Sequence, residues 1–598
     1  MFYELALTYQ DTLLTYQPFS LKKGELDCTN LSSALQREII SLGEKHLTFA
    51  FHGLSATSFM AFTRTGNRVD YEELYFNKRR ALNALVMAEC IEKSGRFMDS
   101  IINGIFSLCE ESAWQLPAHN SYIRDTPQLI LPDSDFPVLD LFACETGALL
   151  ATISYLLGKK LNQISATITK RIESELQKRI LTPYLTTHFW WMGNGDEPMC
   201  NWTIWCTQNI LITAFLSPLS SQNKQKIFLK ACQSIDFFLK DYGEDGCCDE
   251  GAQYYRHAGL CLFNAMEVLN SVTNNHFYTL YSCDKIKNMA LYILNVHVDD
   301  EYYINFADCS PIAGRAGARE FLFGKRILDR QLMKFAAQDF KSDPNPLLPM
   351  EINLFYRIQS ALTQDEMRSY DTSGEIIHKD IYYESVGLFK AHDNTTCLAV
   401  KSGDNNDSHN HNDTGSFTIY KNKRPLFIDV GVESYSKKTF SAKRYEIWTM
   451  QSSYHNLPEI DSTMQKDGKQ YKAIHVNTKI EKEIALISMD ISPAYPLNNV
   501  EYYNRSVSLI RNKYILIEDS WAGCKHVVSN LMTYEKPSIT SNELFFVGDL
   551  ASVHVSGAKE ITVEEIPITD KRLQGTWKHE IYRIQITAKH DYLTLQIN

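Results

Sequence analysis

Two spacings of apolar residues divide the chain. From about residue 30 to 370 apolar positions recur three and four apart, as in ALNALVMAECIEKSGRFMDSIINGIFSLCEESAW (81–114), LFACETGALLATISYLLG (141–158) and GLCLFNAMEVLNSV (259–272). That spacing predicts a succession of amphipathic helices. Polar sequences such as QLPAHN and SPLSSQN separate them, and no fixed period runs through the stretch. Helical hairpins closed into a toroid or stacked in a solenoid fit better than a regular repeat array. Pro344, Pro346 and Pro349 mark a break, after which one last helical piece, EINLFYRIQSALT, follows. From about residue 376 the grammar changes to short segments rich in β-branched and aromatic residues. They include IYYESVGLFKA, TTCLAVKSG, GSFTIYKN, RPLFIDVG, AIHVNTKIE, SVSLIRNKYILIEDS and YRIQITAKHDYLTLQIN, joined by Asn, Gly, Asp and Lys turns. These predict a large antiparallel β domain to the C-terminus. The expected division is 1–375 and 376–598, and two domains of unlike class imply a cleft between them where ligands bind.

Composition narrows the function only by exclusion. At 598 residues the chain is too long for one ordinary core. A net charge of −11 with 22% charged residues lacks the basic surface of a nucleic-acid binder, so a polyanionic partner would need a local basic or amide-rich site. The fourteen cysteines are scattered, without a CxxC pair, which suits reduced thiols. The N-terminus has neither a basic n-region nor an unbroken apolar h-region, and no stretch reaches the roughly 18 apolar residues of a membrane span. The expectation is a cytoplasmic protein that binds neither nucleic acid nor membrane.

Chemistry concentrates in SHNHNDTGSF (408–417), where Asp407, His409, His411 and Asp413 alternate with small polar residues just before the strand-like SFTIY. On a regular strand, His409 and His411 would point to the same side; a solvated loop tip is the alternative. Asp429 in PLFIDVG and His455 in QSSYHNLPEID follow. Two imidazoles and a carboxylate from three β segments suit Zn²⁺, making His411, Asp429 and His455 the candidate ligands against a purely hydrogen-bonded role. Among the helices, MGNGDEPMCNWTIWCTQNIL puts Asn201, Trp202 and Trp205 at a helix start. There an amide could meet an anion with help from the dipole, or could simply cap the helix. DYGEDGCCDEGAQYYRHAGL carries Glu250, Tyr254, Tyr255, Arg256 and His257. Neighbouring helical residues do not share a face, so at most one of the two tyrosines should meet a ligand. Arg315 and Arg319, in a glycine-rich segment after Asp308, could hold a carboxylate or sulfate or cap helix ends, and no GxxxxGK[ST] phosphate loop is present. Trp114 and His119 in ESAWQLPAHN suit either a sugar platform or a hairpin corner.

Taken in order, WQLPAH (114–119), VLDLFACET (138–146), CNWTIWCTQN (200–209), DGCCDEGAQYY (245–255), NFAD (305–308), SHNHNDTGSF, PLFIDVG, YHN (454–456) and RSVSLIRNKYILIEDS (505–520) resemble the heparinase II/III-like polysaccharide lyases. The resemblance spans nearly the whole chain. It implies an α+β fold, an incomplete barrel of helical hairpins (an α/α toroid) followed by an antiparallel β-sandwich. It also implies β-elimination on uronic-acid-containing polysaccharides of the heparan sulfate, hyaluronan or chondroitin type. Asn201 would neutralise the substrate carboxylate, Tyr254 would act as base, acid or both, and His409 would be its partner. A longer spacing in some members would move the tyrosine role to Tyr255. Trp114, His119, Trp202, Gln208, Glu250, Arg315 and Arg319 are the candidate substrate-binding residues. A divalent metal, taken as zinc, would sit on His411, Asp429 and His455, and could be structural. Cys200 departs from members that carry a second Asn there, a loss that Gln208 or Asn209 could offset. The competing expectations are an alginate or oligoalginate lyase of the same fold, a toroid glycoside hydrolase using two carboxylates, and a non-catalytic carbohydrate-binding protein. The number of subunits stays open, a homodimer among the options.

Overall fold

The computed structural model describes every residue except Asp125 and Lys437. The chain forms two compact units, and neither is contiguous: residues 1–242, 256–283 and 316–375 make one, residues 243–255, 284–315 and 376–598 the other. The expected division at 375/376 is where the last crossing falls. It differs from the structure in that two earlier stretches, 243–255 and 284–315, pack with the β strands.

The first unit is the helical toroid. Its inner helices are α1 (Val69–Glu92), α2 (Leu141–Ile164), α3 (Asn201–Leu216), α4 (Gly259–Val272), α5 (Ala318–Ile327) and α6 (Leu354–Ser369). They pack in sequence, α1 on α2, α2 on α3, and so on to α6. Outer helices complete the hairpins: Met98–Cys109 lies on α1, Ala166–Leu176 on α2, Ser221–Asp241 on α3 and Arg330–Ser342 on α5. Sequence explains the two layers. Residues 143–153 of α2 and 203–215 of α3 are buried without interruption, as helices apolar on every side must be, whereas Arg330–Ser342 (RQLMKFAAQDFKS) buries one face. Contrary to expectation, α2 is long and apolar enough to cross a membrane, but 78% of that window is buried inside the protein, so it serves as a core helix. Polar caps fix the starts: Asp140 accepts from Ala143 N (2.7 Å) at α2, and Asn353 from Phe355 N (3.1 Å) at α6.

The second unit is an antiparallel β-sandwich. One sheet runs Ala558–Ile566, Ile581–Ala588, Val527–Thr533, Arg424–Phe427, Phe417–Lys421, Thr396–Lys401, Leu388–His392, Ile381–Tyr383, with Pro458–Ile460 also paired to Val527–Thr533. The other runs Ile474–Ile480, Ile484–Asp490, Tyr502–Ile510, Tyr514–Ala522, Tyr592–Ile597, Ala551–Ser556, Leu544–Val547, Pro537–Ser541. Alternation places Phe389, Leu398, Phe417 and Ile419 of the first sheet in one core with Ile487, Val507, Ile517 and Leu595 of the second. The two early stretches join this unit by close backbone approach. Gly251 has φ +85°, and a Cβ there would lie 2.6 Å from the Cβ of Cys309, so the glycine of the DEG tract lets the 250–254 loop lie against the 305–309 loop.

Candidate active site and metal centre

Residues 408–416 form a loop, and the strand begins only at Phe417. His409 sits in the left-handed region at φ +55°, an uncommon backbone state for a residue with a side chain. The period-two expectation for His409 and His411 therefore does not apply. The two imidazoles instead take opposite oxygens of one carboxylate: His409 Nδ1 is 2.8 Å from Asp308 Oδ2, and His411 Nε2 is 3.1 Å from Asp308 Oδ1. Asp308 is fully buried, and Arg444 Nη2 adds a hydrogen bond to Oδ1 at 2.6 Å. Burial alone would raise this carboxyl, but the two imidazoles and the Arg444 charge outweigh it and hold it well below the usual carboxylate range.

Around His409 the groups are polar and partly accessible. Its Nε2 lies 3.2 Å from Glu250 Oε2, so both ring nitrogens face carboxylates. Burial would lower the imidazole, yet the hydrogen bonds to Asp308 and Glu250 prevail and hold it well above the usual histidine range. His409 is thus an imidazolium without a lone pair to act as base. The Tyr254 ring stacks on it, with centroids 5.3 Å apart and 19° between planes. Tyr254 Oη is 2.5 Å from Tyr435 Oη, and Tyr435 donates to Asp308 Oδ2 at 3.2 Å. Burial, with Tyr254 and Asp308 adding to it, pushes the Tyr435 hydroxyl well above the usual tyrosine range. The Arg572 guanidinium lies 4.7 Å over the Tyr435 ring and donates to the Asp308 carbonyl at 3.0 Å. A chain of hydroxyls therefore leads from half-buried Tyr254 to an ionised carboxylate.

Tyr254 and Tyr255 are separated by their surroundings. Tyr255 is fully buried, donates to Ala290 O at 3.1 Å and packs on Tyr292. The apolar spacing assigns Tyr254 and Glu250 to the helical domain; they lie in the β-rich unit with His409. Glu250, expected on the substrate, is 2% exposed and faces the histidine instead.

On the other side of Asp308, His411, Asp429 and His455 are all buried, and one ligand atom from each lies within 4.8 Å of the others. The donor set fits a cation. His411 spends Nε2 on Asp308 and leaves Nδ1 buried with no hydrogen-bond partner. His455 Nδ1 is 3.1 Å from Asp429 Oδ2 but off the line of a hydrogen bond, and neither of its ring nitrogens has a hydrogen-bond partner. Burial works against charge on both Asp429 and His455, yet each favours the other's ionised form, so Asp429 is held below and His455 above its usual range. Orphaned imidazole nitrogens facing a carboxylate, with Asp308 orienting His411 from behind, are the arrangement of a metal centre and its supporting shell. Asn305 Nδ2 and Gly431 N bind Asp429 Oδ1 at 3.0 and 2.8 Å, which leaves Oδ2 as the metal-facing oxygen.

In the helical unit the expected substrate-binding residues diverge. Asn201 is the first residue of α3 and Cys200 the cap, so Asn201 is not an N-cap. Half-buried Trp202 packs edge-on to His119 at 4.8 Å and tilted against Trp190 at 5.2 Å. His119 Nδ1 is held 2.8 Å from the helix-capping Asp140. Trp114 does not offer a sugar platform: it is 1% exposed, and its indole donates to Leu108 O. Gln208 is likewise fully buried, with its amide bonded to Tyr356 and Asn209, so it supports the helix pack rather than a ligand. Arg319 lies 4.0 Å over the Tyr356 ring. Arg315, in the β-rich unit, is ion-paired to Asp300. Sequence reasoning notes Asp308 without assigning it and misses Tyr435, Arg444 and Arg572. NFAD is a visible signal for the first, whereas GVESYSKKTF carries no pattern that marks its tyrosine.

An α/α toroid joined to an antiparallel β-sandwich, with this cluster in the β-rich unit, has known counterparts. Residues 378–526 match the family described as Heparinase II/III-like, C-terminal, which bears out the motif resemblance over that segment. No curated protein sequence matches the chain. Among solved structures, a heparinase III shares 14% identity over 97% of this chain and 86% of its own, with TM-score 0.59. A mutant of the heparan sulfate lyase HepC from Pedobacter heparinus shares 14% identity over 100% and 87%, with TM-score 0.57. The chondroitin AC lyase of Streptomyces coelicolor A3, solved with chondroitin sulphate, shares 8% over 100% and 82%, with TM-score 0.54. At these identities the likeness is one of fold.

Proposed function

We propose that the protein is a polysaccharide lyase that cleaves uronic-acid-containing glycosaminoglycans by β-elimination. The observation that carries this reading is the hydroxyl chain from Tyr254 through Tyr435 to Asp308, beside an imidazolium that cannot itself be the base. In the reaction the proton at C5 of the uronate leaves, its electron pair forms the C4–C5 double bond, and the C4–O bond breaks as the leaving oxygen takes a proton. Tyr254 Oη takes the C5 proton, with Tyr435 and Asp308 as the path along which it moves on, and a tyrosine hydroxyl can return a proton to the leaving oxygen. The positive charge of His409 stabilises the negative charge that develops, as an oxyanion hole does. Asn201 keeps the role implied by the resemblance, a hydrogen bond that neutralises the substrate carboxylate. His411, Asp429 and His455 would hold zinc, which when bound supplies a fixed positive charge that anchors the loop carrying His409.

The matching family and the named activities of the structural counterparts support the glycosaminoglycan class; heparan sulfate, chondroitin sulfate and hyaluronan are the first substrates to try. The test is to incubate the protein with these three and with alginate, and to follow the ultraviolet absorbance of the unsaturated uronate. Absorbance with alginate alone moves the substrate class while keeping the chemistry. Reducing ends without absorbance indicate a hydrolase, and neither signal indicates a binding protein.

A further inference from the structure

The three segments that carry the candidate ligands are laced together by two buried side chains that are not ligands. Asn456 follows His455 directly and is fully buried. Its Nδ2 donates to Phe417 O at 2.5 Å, on the strand that continues the His411 loop, and to Ile428 O at 3.1 Å, the residue before Asp429. Its Oδ1 accepts from Met532 N at 2.7 Å, and its own N–H donates to Ser416 Oγ at 3.2 Å. Arg505, 1% exposed, closes the lattice from the second sheet. Nη1 donates to Asn456 O at 2.8 Å and to Gly415 O at 2.9 Å, again within the His411 loop. Nε and Nη2 grip Asp519 across the strand pair at 2.8 and 2.7 Å, and Tyr503 Oη holds the same carboxylate at 2.9 Å.

We propose that Asn456 and Arg505 are positioning residues for the metal centre, presetting the separations of His411, Asp429 and His455 before any ion binds. The inference rests on the metal reading above. Gathering three ligand segments costs conformational entropy. A lattice formed during folding meets that cost in advance, so it does not weaken ion binding. Each interaction is suited to the task. One planar amide reaches two carbonyls that flank different ligand segments, which a shorter side chain cannot do. The guanidinium fork serves a carboxylate and two carbonyls at once, which an ammonium cannot reproduce.

The test uses the full chain and two variants, Asn456→Ser and Arg505→Lys. Zinc affinity is measured by competition with a chromogenic chelator, and ligand geometry by the visible spectrum of the cobalt-loaded protein. A core variant on another strand, Leu595→Ala, controls for loss of stability. The expected result is zinc binding weakened by about 10- to 100-fold, with an altered cobalt spectrum, in both lattice variants. Leu595→Ala should melt earlier while keeping the zinc affinity and cobalt spectrum of the unmutated protein. If Arg505→Lys does not fold, Asn456→Ser alone decides. Unchanged affinity and spectrum in the folded variants, or an equal loss in Leu595→Ala, overturns the proposal. An unmutated protein that takes up neither zinc nor cobalt overturns the metal reading and this inference with it.

Discussion

The two oxygens of Asp308 face two regions built on opposite principles. On the Oδ2 side every polar atom described around His409 has a partner, and the histidine side chain remains 25% exposed. On the Oδ1 side His411 is fully enclosed, and His411 and His455 keep ring nitrogens with no hydrogen-bond partner. A region that handles substrate protons needs access and a connected path of donors and acceptors. A region that holds a cation needs exclusion of water and lone pairs left unspent, because orphaned buried nitrogens cost free energy unless something else binds them. The two histidines differ by only two positions in the chain, and the left-handed backbone at His409 is what sends them to different oxygens.

The largest predicted effect separates the two sides. Tyr254→Phe should lower turnover by roughly 10²- to 10⁴-fold while zinc content, by elemental analysis, stays that of the unmutated protein; loss of zinc as well would show that the sides are not independent. Asp308→Asn strikes both at once. It leaves the Arg444 charge buried against a neutral amide, and denaturant unfolding of the β-rich unit should show a loss of about 3–5 kcal/mol together with weaker zinc binding. His455→Ala touches only the enclosed side. Zinc at a hundred times its dissociation constant stabilises by about 2.7 kcal/mol, so the variant and chelator-treated protein should both lose the zinc-dependent rise in melting temperature. An equal rise in His455→Ala would exclude that histidine as a ligand. The smallest effect belongs to Tyr255→Phe, which removes one buried hydrogen bond, to Ala290 O, and should cost about 1 kcal/mol of stability with turnover nearly unchanged. A dead Tyr255→Phe enzyme beside an active Tyr254→Phe would reverse the assignment of the tyrosines.

Much of this molecule is legible in its amino-acid sequence. Apolar spacing marks α2 and α4 as helices and the segments around Phe417 and Val507 as strands, because burial of one face imposes its period on the residues themselves. The donors His411, Asp429 and His455 stand out by residue type, and the DEG tract by its glycine. Trp114 and Gln208 mislead for the complementary reason: an indole or an amide has the same letter in a core as on a ligand, and only burial tells the two apart.

Sequence by itself determined the two grammars of the fold and the chemical inventory of the site. Tertiary structure alone decided that Tyr254 and Glu250 belong with the β-sandwich, that Tyr254 and not Tyr255 meets His409, and that Asp308 is shared between the two histidines. Tyr435 and Arg444 reach that carboxylate from loops far along the chain. Loops of this kind bury no repeating face, so no period records where they go. Their meeting is set by where the strands and the Gly251 contact bring them, which is a property of the folded chain and of no single segment in it.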